Sequence, residues 1–298
     1  MIEVVAFLLF GGTFLVNTVC GSMEVQVPPE YVMTGMEILQ RKPVYDPKAA
    51  KITKYQQGWG VGHRAQYKED LYLYERYFFG MVNGTIMESG ALDGNRLSTT
   101  YMFETYFNWF PVHVEASFQH YALLKQNRPN GLNVHAALCN ESRILHFLHR
   151  ENGSAVDGIL EFMEPQFVSR FHKYWHRTKD PRLLHEMQCV TAPFLFQFLH
   201  IIHLDIWVLD VEGAELAVLS VIEWSTAPTI DVILLEIMRR NDRSGQADKT
   251  IEILEKNGYQ CHPYMSNAVC VHGRLEMKRS IKPGLDVTKT PKSMYHGT

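Results

Sequence analysis

Three groups of residues have the types and spacing to do chemistry at the end of a β-sheet. The first is Glu88-Ser89-Gly90-Ala91-Leu92-Asp93-Gly94. The run Thr85-Ile86-Met87 ends in the acid Glu88, two glycines follow, and a helix-like pattern begins at Leu97. A strand, a glycine-bearing turn and a helix present backbone N–H groups to an acidic or nucleotide-like ligand. Leu92 stands where a dinucleotide fold carries the second glycine of G-x-G-x-x-G, which disfavours a nicotinamide-dependent oxidoreductase. A ligand with a nucleoside but no pyrophosphate fits better. The second group is Glu115, at the end of Val112-His113-Val114. A carboxylate there can accept both hydroxyls of a ribose. The third is Asp210-Val211-Glu212-Gly213-Ala214-Glu215. Two carboxylates at a strand end, Asp210 and Glu212, can deprotonate a hydroxyl, hold an organic cation or bind a divalent metal. Glu215 reads as an exposed first-turn acid favoured by the helix dipole. No metal is assigned.

The elements that must position these groups follow from hydrophobic periodicity. Strands are expected at Gly84–Glu88, Val112–Glu115, Leu132–Leu138, Ile206–Leu209 and Asp231–Leu235. Helices are expected at Leu97–Trp109, Gln119–Asn127, Ala214–Ile222 and Asp248–Asn257, the last closed by Gly258. A further helix over 66–79 packs beside the first strand. Residues 140 to 200 break the alternation, with one short helix over Pro165–Trp175. Tyr259–Pro263 and Ala268–Val271 form a closing hairpin. The fold class is therefore α/β, a doubly wound sheet, mostly parallel, with an antiparallel C-terminal hairpin. The divisions are a leader or anchor at 1–22, a stem or irregular lead-in at 23–65, the domain at 66–273 and a loose basic tail at 274–298.

Composition, 46% hydrophobic and 20% charged, is that of an ordinary globular chain, and a formal charge of -3 gives no electrostatic case for nucleic acid. Val4 to Val19 is an apolar run of 16 residues, which a core strand or helix would also explain. Its position favours a cleaved signal, with an uncleaved anchor as the alternative, and places the body in the secretory pathway. Membrane association, if any, runs through this segment. Asn83, Asn140 and Asn152 begin glycosylation sequons. Four cysteines lie beyond the run, and element placement pairs Cys261 with Cys270 and Cys139 with Cys189. His172 and His176 have zinc-site spacing, but Lys173 replaces the glutamate of a zincin, so a surface helix is expected.

ESGALDG at Glu88–Gly94, with LDVEGAE at Leu209–Glu215 and IDVILLEI at Ile230–Ile237, resembles the FkbM-type methyltransferase family. EDLYLYERYF at Glu69–Phe78 and GILEFM at Gly158–Met163 look like its eukaryotic members. The resemblance covers about residues 66–273; Val190-Thr191 departs from the Pro-Leu expected after Cys189. It implies a class I, Rossmann-like fold that binds S-adenosylmethionine and methylates a hydroxyl oxygen, often on a sugar. By position, Glu88, Ser89, Gly90 and Gly94 would shape the cofactor turn, Glu115 would take the ribose, and Asp210 and Glu212 would line the reacting end, either one a candidate base. The acceptor would be a glycan or another hydroxyl-bearing molecule. The resemblance extends to Star-like membrane proteins, so a non-catalytic binding or export role on the same fold is the competing expectation.

Overall fold

Apolar runs rich in Val, Ile and Leu, alternating with helices, assemble into one large sheet in a computed structural model of the chain. The structure describes residues 5–9, 13–18, 21–27, 42–54, 62–151, 153–237, 245–276 and 279–287. In chain order the first eight strands are β1 (Val5–Leu9), β2 (Thr13–Thr18), β3 (Gly21–Gln26), β4 (Val44–Tyr45), β5 (Met81–Val82), β6 (Thr85–Ser89), β7 (Phe110–Glu115) and β8 (Leu132–His135). The rest are β9 (Ala137–Cys139), β10 (Arg143–Leu148), β11 (Gly158–Ile159), β12 (Leu184–Thr191), β13 (His203–Leu209), β14 (Thr229–Glu236), β15 (Tyr259–Tyr264) and β16 (Asn267–His272). The helices are α1 (Glu69–Tyr77), α2 (Thr100–Phe107), α3 (Phe118–Asn127), α4 (Pro165–Phe171), α5 (Lys173–Thr178), α6 (Ala192–Phe198), α7 (Glu215–Ser220), α8 (Gln246–Lys256) and α9 (Gly273–Glu276).

The large sheet runs β1-β2-β3-β8-β7-β6-β13-β14-β16-β15. Its central five strands, β8, β7, β6, β13 and β14, are parallel. The last strand, β16, inserts antiparallel between β14 and β15. From β6 the chain winds outward through β7 to β8; from β13 it winds the other way to β14. The reversal lies between β6 and β13, and the crevice at their carboxyl ends is where such sheets bind ligands. This is the class I doubly wound arrangement.

Both faces of the sheet are buried, as a parallel sheet requires. Trp207 and Leu209 of β13 point into one core, with Leu195, Val218 and Leu254 from the helices. Ile206 and Val208 point into the other, with the aromatic residues of α1 and α2. There Tyr74 stacks on Phe107 at 4.1 Å between ring centroids.

Five expectations change. The third strand is two strands: β8 stays in the large sheet, and β9 turns off into a second sheet of order β11-β10-β12-β9. The stretch from 140 to 200 thus carries strands β10, β11 and β12 besides its expected helix. Its helix is split at His172 into α4 and α5. Of the tail, the described residues 279–287 are held, not loose: Ser280 N–H donates to the Tyr77 carbonyl at 2.9 Å, and its carbonyl accepts from Phe79 N–H at 2.9 Å. The lead-in carries a core strand, with Met23 and Val25 of β3 buried. The apolar run itself falls in β1 and β2, outside β3 on the same edge. No helix among the described residues is long and apolar enough to cross a membrane.

Both disulfides form as expected, Cys139 with Cys189 and Cys261 with Cys270. Cys261 and Cys270 face each other in the β15–β16 register. Cys139–Cys189 closes a loop with a sequence separation of 50, which contains β10, β11, α4 and α5. Cross-linking a loop of that length restricts the unfolded chain by about 4 kcal/mol at most. The Cys139→Ala/Cys189→Ala variant is therefore expected to lose about 2–4 kcal/mol in urea unfolding. An unchanged midpoint would contradict a structural role for this bond.

Candidate functional site

The turn after β6 is held by three backbone bonds. Gly90 N–H and Ala91 N–H both donate to the Val114 carbonyl, at 2.9 and 3.2 Å, and Asp210 N–H donates to the Ser89 carbonyl at 3.0 Å. These bonds pull the ends of β6, β7 and β13 together. Gly90 is required there: its φ is +88°, and a Cβ would collide with the Asp210 carbonyl.

Glu88 ends β6 fully buried, and its carboxylate gathers the far side of the loop. It accepts from Thr99 N–H at 2.6 Å, from Thr100 Oγ1 at 2.7 Å and from Ser98 Oγ at 2.8 Å. Burial raises its carboxyl, while the Thr100 hydroxyl and the Arg128 guanidinium oppose that rise. Arg128 also donates to the Gly94 carbonyl and to Ser98, at 2.8 and 3.1 Å, and pairs with Glu104. His113 lies against Thr100 at 3.1 Å; burial, with the Arg128 charge beside it, holds the imidazole well below its ordinary value and thus neutral.

Two turn residues act at one remove from the cavity. Ser89 faces away from it, and its hydroxyl accepts from Trp207 Nε1 at 3.0 Å. Gly94, at φ +74°, leaves room for Leu124 and for the stem of Arg128. Leu92 also has positive φ, +49°, and this turns its N–H onto Glu115 Oε2 at 2.7 Å. The other oxygen of Glu115 accepts from Ser117 N–H at 2.6 Å. Each oxygen keeps a lone pair beyond these bonds, so the buried carboxylate can still accept a pair of hydroxyls. Burial pushes Glu115 up to about 7.

Asp210 and Glu212 stand across the crevice, joined by Glu236 at the end of β14. One oxygen from each lies within 4.8 Å of the others. Burial and mutual repulsion raise Asp210 and Glu212 well above the ordinary carboxylate range, and Glu236 to about 8. Asp210 and Glu236 interact directly, and that contact adds to the rise of Asp210. The sequence reading missed Glu236, although it ends the apolar run Val232–Leu235 within IDVILLEI. It also misplaced Glu215, which is buried and ties its own turn by accepting from Val211 N–H at 2.9 Å and Gly213 N–H at 3.1 Å.

A cavity of about 340 Å³ connects the two ends. Gly90, Ala91, Leu92 and Glu115 line one part, and Asp210, Glu212 and Glu236 another. Ala137, Leu138, Phe147 and Val156 give it an apolar wall. Asp157, at the start of the excursion through β11, lines it as well and was not anticipated. His172 and His176 take no part in it: His172 is buried against the Val156 carbonyl at 2.8 Å and His176 is exposed.

A profile of the methyltransferase FkbM domain matches residues 88–261. No curated protein gives a significant match. Among solved structures, Aeropyrum pernix fibrillarin, in complex with natively bound S-adenosyl-L-methionine, is similar at 11% identity and a TM-score of 0.33, covering 91% of this chain and 99% of that one. Methanococcus jannaschii fibrillarin, a pre-rRNA processing protein, is similar at 11% identity and 0.31, over 91% and 97%. Precorrin-6y C5,15-methyltransferase from Geobacter metallireducens is similar at 11% identity and 0.33, over 71% and 95%.

Two outcomes follow from the site's bonding. Thr100→Val leaves the Glu88 carboxylate short of a donor and is expected to cost about 1–3 kcal/mol in urea unfolding, with Thr100→Ser restoring most of it. A loss no larger for Val than for Ser would contradict the role given to that hydroxyl. The second concerns pH. Glu115 ionises near 4.5 when exposed and near 7 in the fold, so between those values the native chain binds more protons than the unfolded chain. Stability of the ligand-free chain should therefore fall as pH rises through that window, and Glu115→Gln should flatten the fall. Thermal melts at a series of pH values decide it, and equal slopes in the two proteins would count against the assignment.

Proposed function

The chain belongs to the FkbM methyltransferase-domain family, and from that premise we propose that it methylates a hydroxyl oxygen of a glycan or glycoconjugate in the lumen of the secretory pathway, using S-adenosylmethionine. The residues present fit this cofactor. Glu115 has two oxygens, each with one backbone donor and spare acceptor capacity, as a vicinal diol requires. The apolar wall of Ala137, Leu138 and Val156 suits a planar base, and the cavity is of small-ligand size. Bound there, the cofactor supplies an activated methyl group.

The chain's part is to hold the acceptor oxygen, exclude water and take a proton. Asp210 and Glu212 are the groups placed for this, and their raised carboxyls make them stronger bases than exposed ones. The observation that carries the reading is that these carboxylates share one cavity with Glu115. An acid-lined wall accepts hydroxyl donors and repels phosphate or carboxylate acceptors. A neutral sugar hydroxyl suits it, and a nucleic acid does not.

Two disulfides support a lumenal setting. Asn140 is an exposed sequon. Asn83 is half-buried and accepts from Asn108 at 2.7 Å, and Asn152 lies outside the described residues. Cleavage after the apolar run, before Met23, would leave the rest of β3 as the sheet edge; without it the run serves as an anchor or as outer strands.

The direct test is transfer of a labelled methyl group from S-adenosylmethionine onto an array of neutral glycans by the full chain. Asp210→Asn is expected to lower kcat by about 100-fold or more while cofactor affinity stays within a few fold, if Asp210 takes the proton. Folded protein that binds the cofactor yet methylates no hydroxyl acceptor would favour the non-catalytic, Star-like reading.

A further inference from the structure

Beside the cavity, Asp210, Glu212 and Glu236 bring three carboxylates together from two strand ends. One ligand oxygen from each falls within 4.8 Å of the others, which is the spacing of donors around one ion. The charged neighbours that act most strongly on the three are themselves acidic, drawn from Asp157, Glu215, Glu69 and Glu88. Among the described residues no Lys, Arg or His forms an ion pair with any of them. All three are half-buried, and like charges gathered there without a counter-charge from the described residues are costly.

A separate observation points to a missing partner. Asp157 is 8% exposed. Its Oδ2 accepts from Ser154 N–H at 2.6 Å and Arg150 N–H at 3.3 Å, but its Oδ1 is buried with no hydrogen-bond partner. Asp157 lines the same cavity, its charge acts on Glu212, and a Cβ on the adjoining Gly158 would stand 3.0 Å from Glu212 Cβ. A buried acceptor oxygen left unpaired in native packing calls for an unseen donor or ion.

His203, Asp205 and Asp231 also cluster, at the opposite end of β13. There Arg274 pairs with Asp231 at 2.8 Å, His203 contacts Asp205 at 3.1 Å, and Asp205 accepts from Thr85 N–H at 2.7 Å. Its charges are already met from within the chain.

We propose that Asp210, Glu212 and Glu236 bind one hard divalent cation, of the magnesium, manganese or calcium class, with Asp157 beside them, outside the ligand set. All-oxygen carboxylate donors select such ions over zinc or copper. An ion at this wall would orient a hydroxyl in the cavity and compensate the gathered charge. The inference goes beyond the methyl-transfer reading and does not rest on it, since an ion can bind whatever the acceptor is.

The probe is Mn²⁺ alone, titrated into the chelator-treated full chain, with free Mn²⁺ followed by electron paramagnetic resonance. One saturable site per chain is expected, with Mg²⁺ or Ca²⁺ competing for it. Glu236→Gln and Glu212→Gln, each shown to be folded by circular dichroism, should each weaken it at least about tenfold, because each removes one anionic ligand. His203→Gln should leave it unchanged. The proposal is overturned by folded wild-type chain with no saturable site, by a site that survives both carboxamide variants, or by a site lost with His203→Gln instead.

Discussion

One buried carboxylate sets the geometry on which the site depends. Glu88 ends β6 and receives Ser98, Thr99 and Thr100 from the far side of the loop. Arg128 closes the same loop from α3 through the Gly94 carbonyl and Ser98. Folded back in this way, the loop presents Leu92 N–H to Glu115. A carboxylate removed from water needs such donors, and the loop needs a fixed acceptor to turn around, so each stabilises the other. Glu88 is thus a positioning residue, and Glu115 is the acid left with capacity for a ligand.

The rest of the cavity departs from ordinary burial. Glu115, Asp157, Asp210, Glu212 and Glu236 all have carboxyls raised by burial, and only the first two are served by several backbone donors. Stability alone would favour removing such groups. Their retention is coherent if the cavity receives hydroxyl donors and positive charge. The sulfonium of S-adenosylmethionine and a divalent cation would each meet that demand at a different place on the wall.

Much of this was legible in the sequence because it is local. The runs ending at Glu88, Glu115 and Leu209 fixed the parallel strands, Gly90 announced the turn, and opposed strand positions paired Cys261 with Cys270. Ser89 could have been placed correctly from alternation alone: if Glu88 faces the loop, its neighbour faces the opposite core. The second sheet was not legible in the same way. β10 pairs with β12 from Arg143–Cys189 to Leu148–Leu184, across some forty residues of sequence, and β9 lies within what read as a single strand through Leu138. Asp157 becomes a site residue only through that packing, because nothing in its own surroundings distinguishes it from an exposed acid, whereas Glu236 ends the apolar run of β14 and was open to the same reading as Glu88. Glu215 shows the converse, an acid with a surface-helix signature that tertiary packing buries.

The central claim is that Glu115 and the Glu88-fixed loop form an S-adenosylmethionine site. Calorimetric titration of the full chain with S-adenosylmethionine, in parallel with Glu115→Gln, tests it most directly. The account predicts one saturable site in the wild-type chain and a loss of about tenfold to a hundredfold in affinity for the variant, the worth of charge-assisted hydrogen bonds to a diol. No binding by folded wild-type chain, or equal affinity in the two proteins, would contradict it.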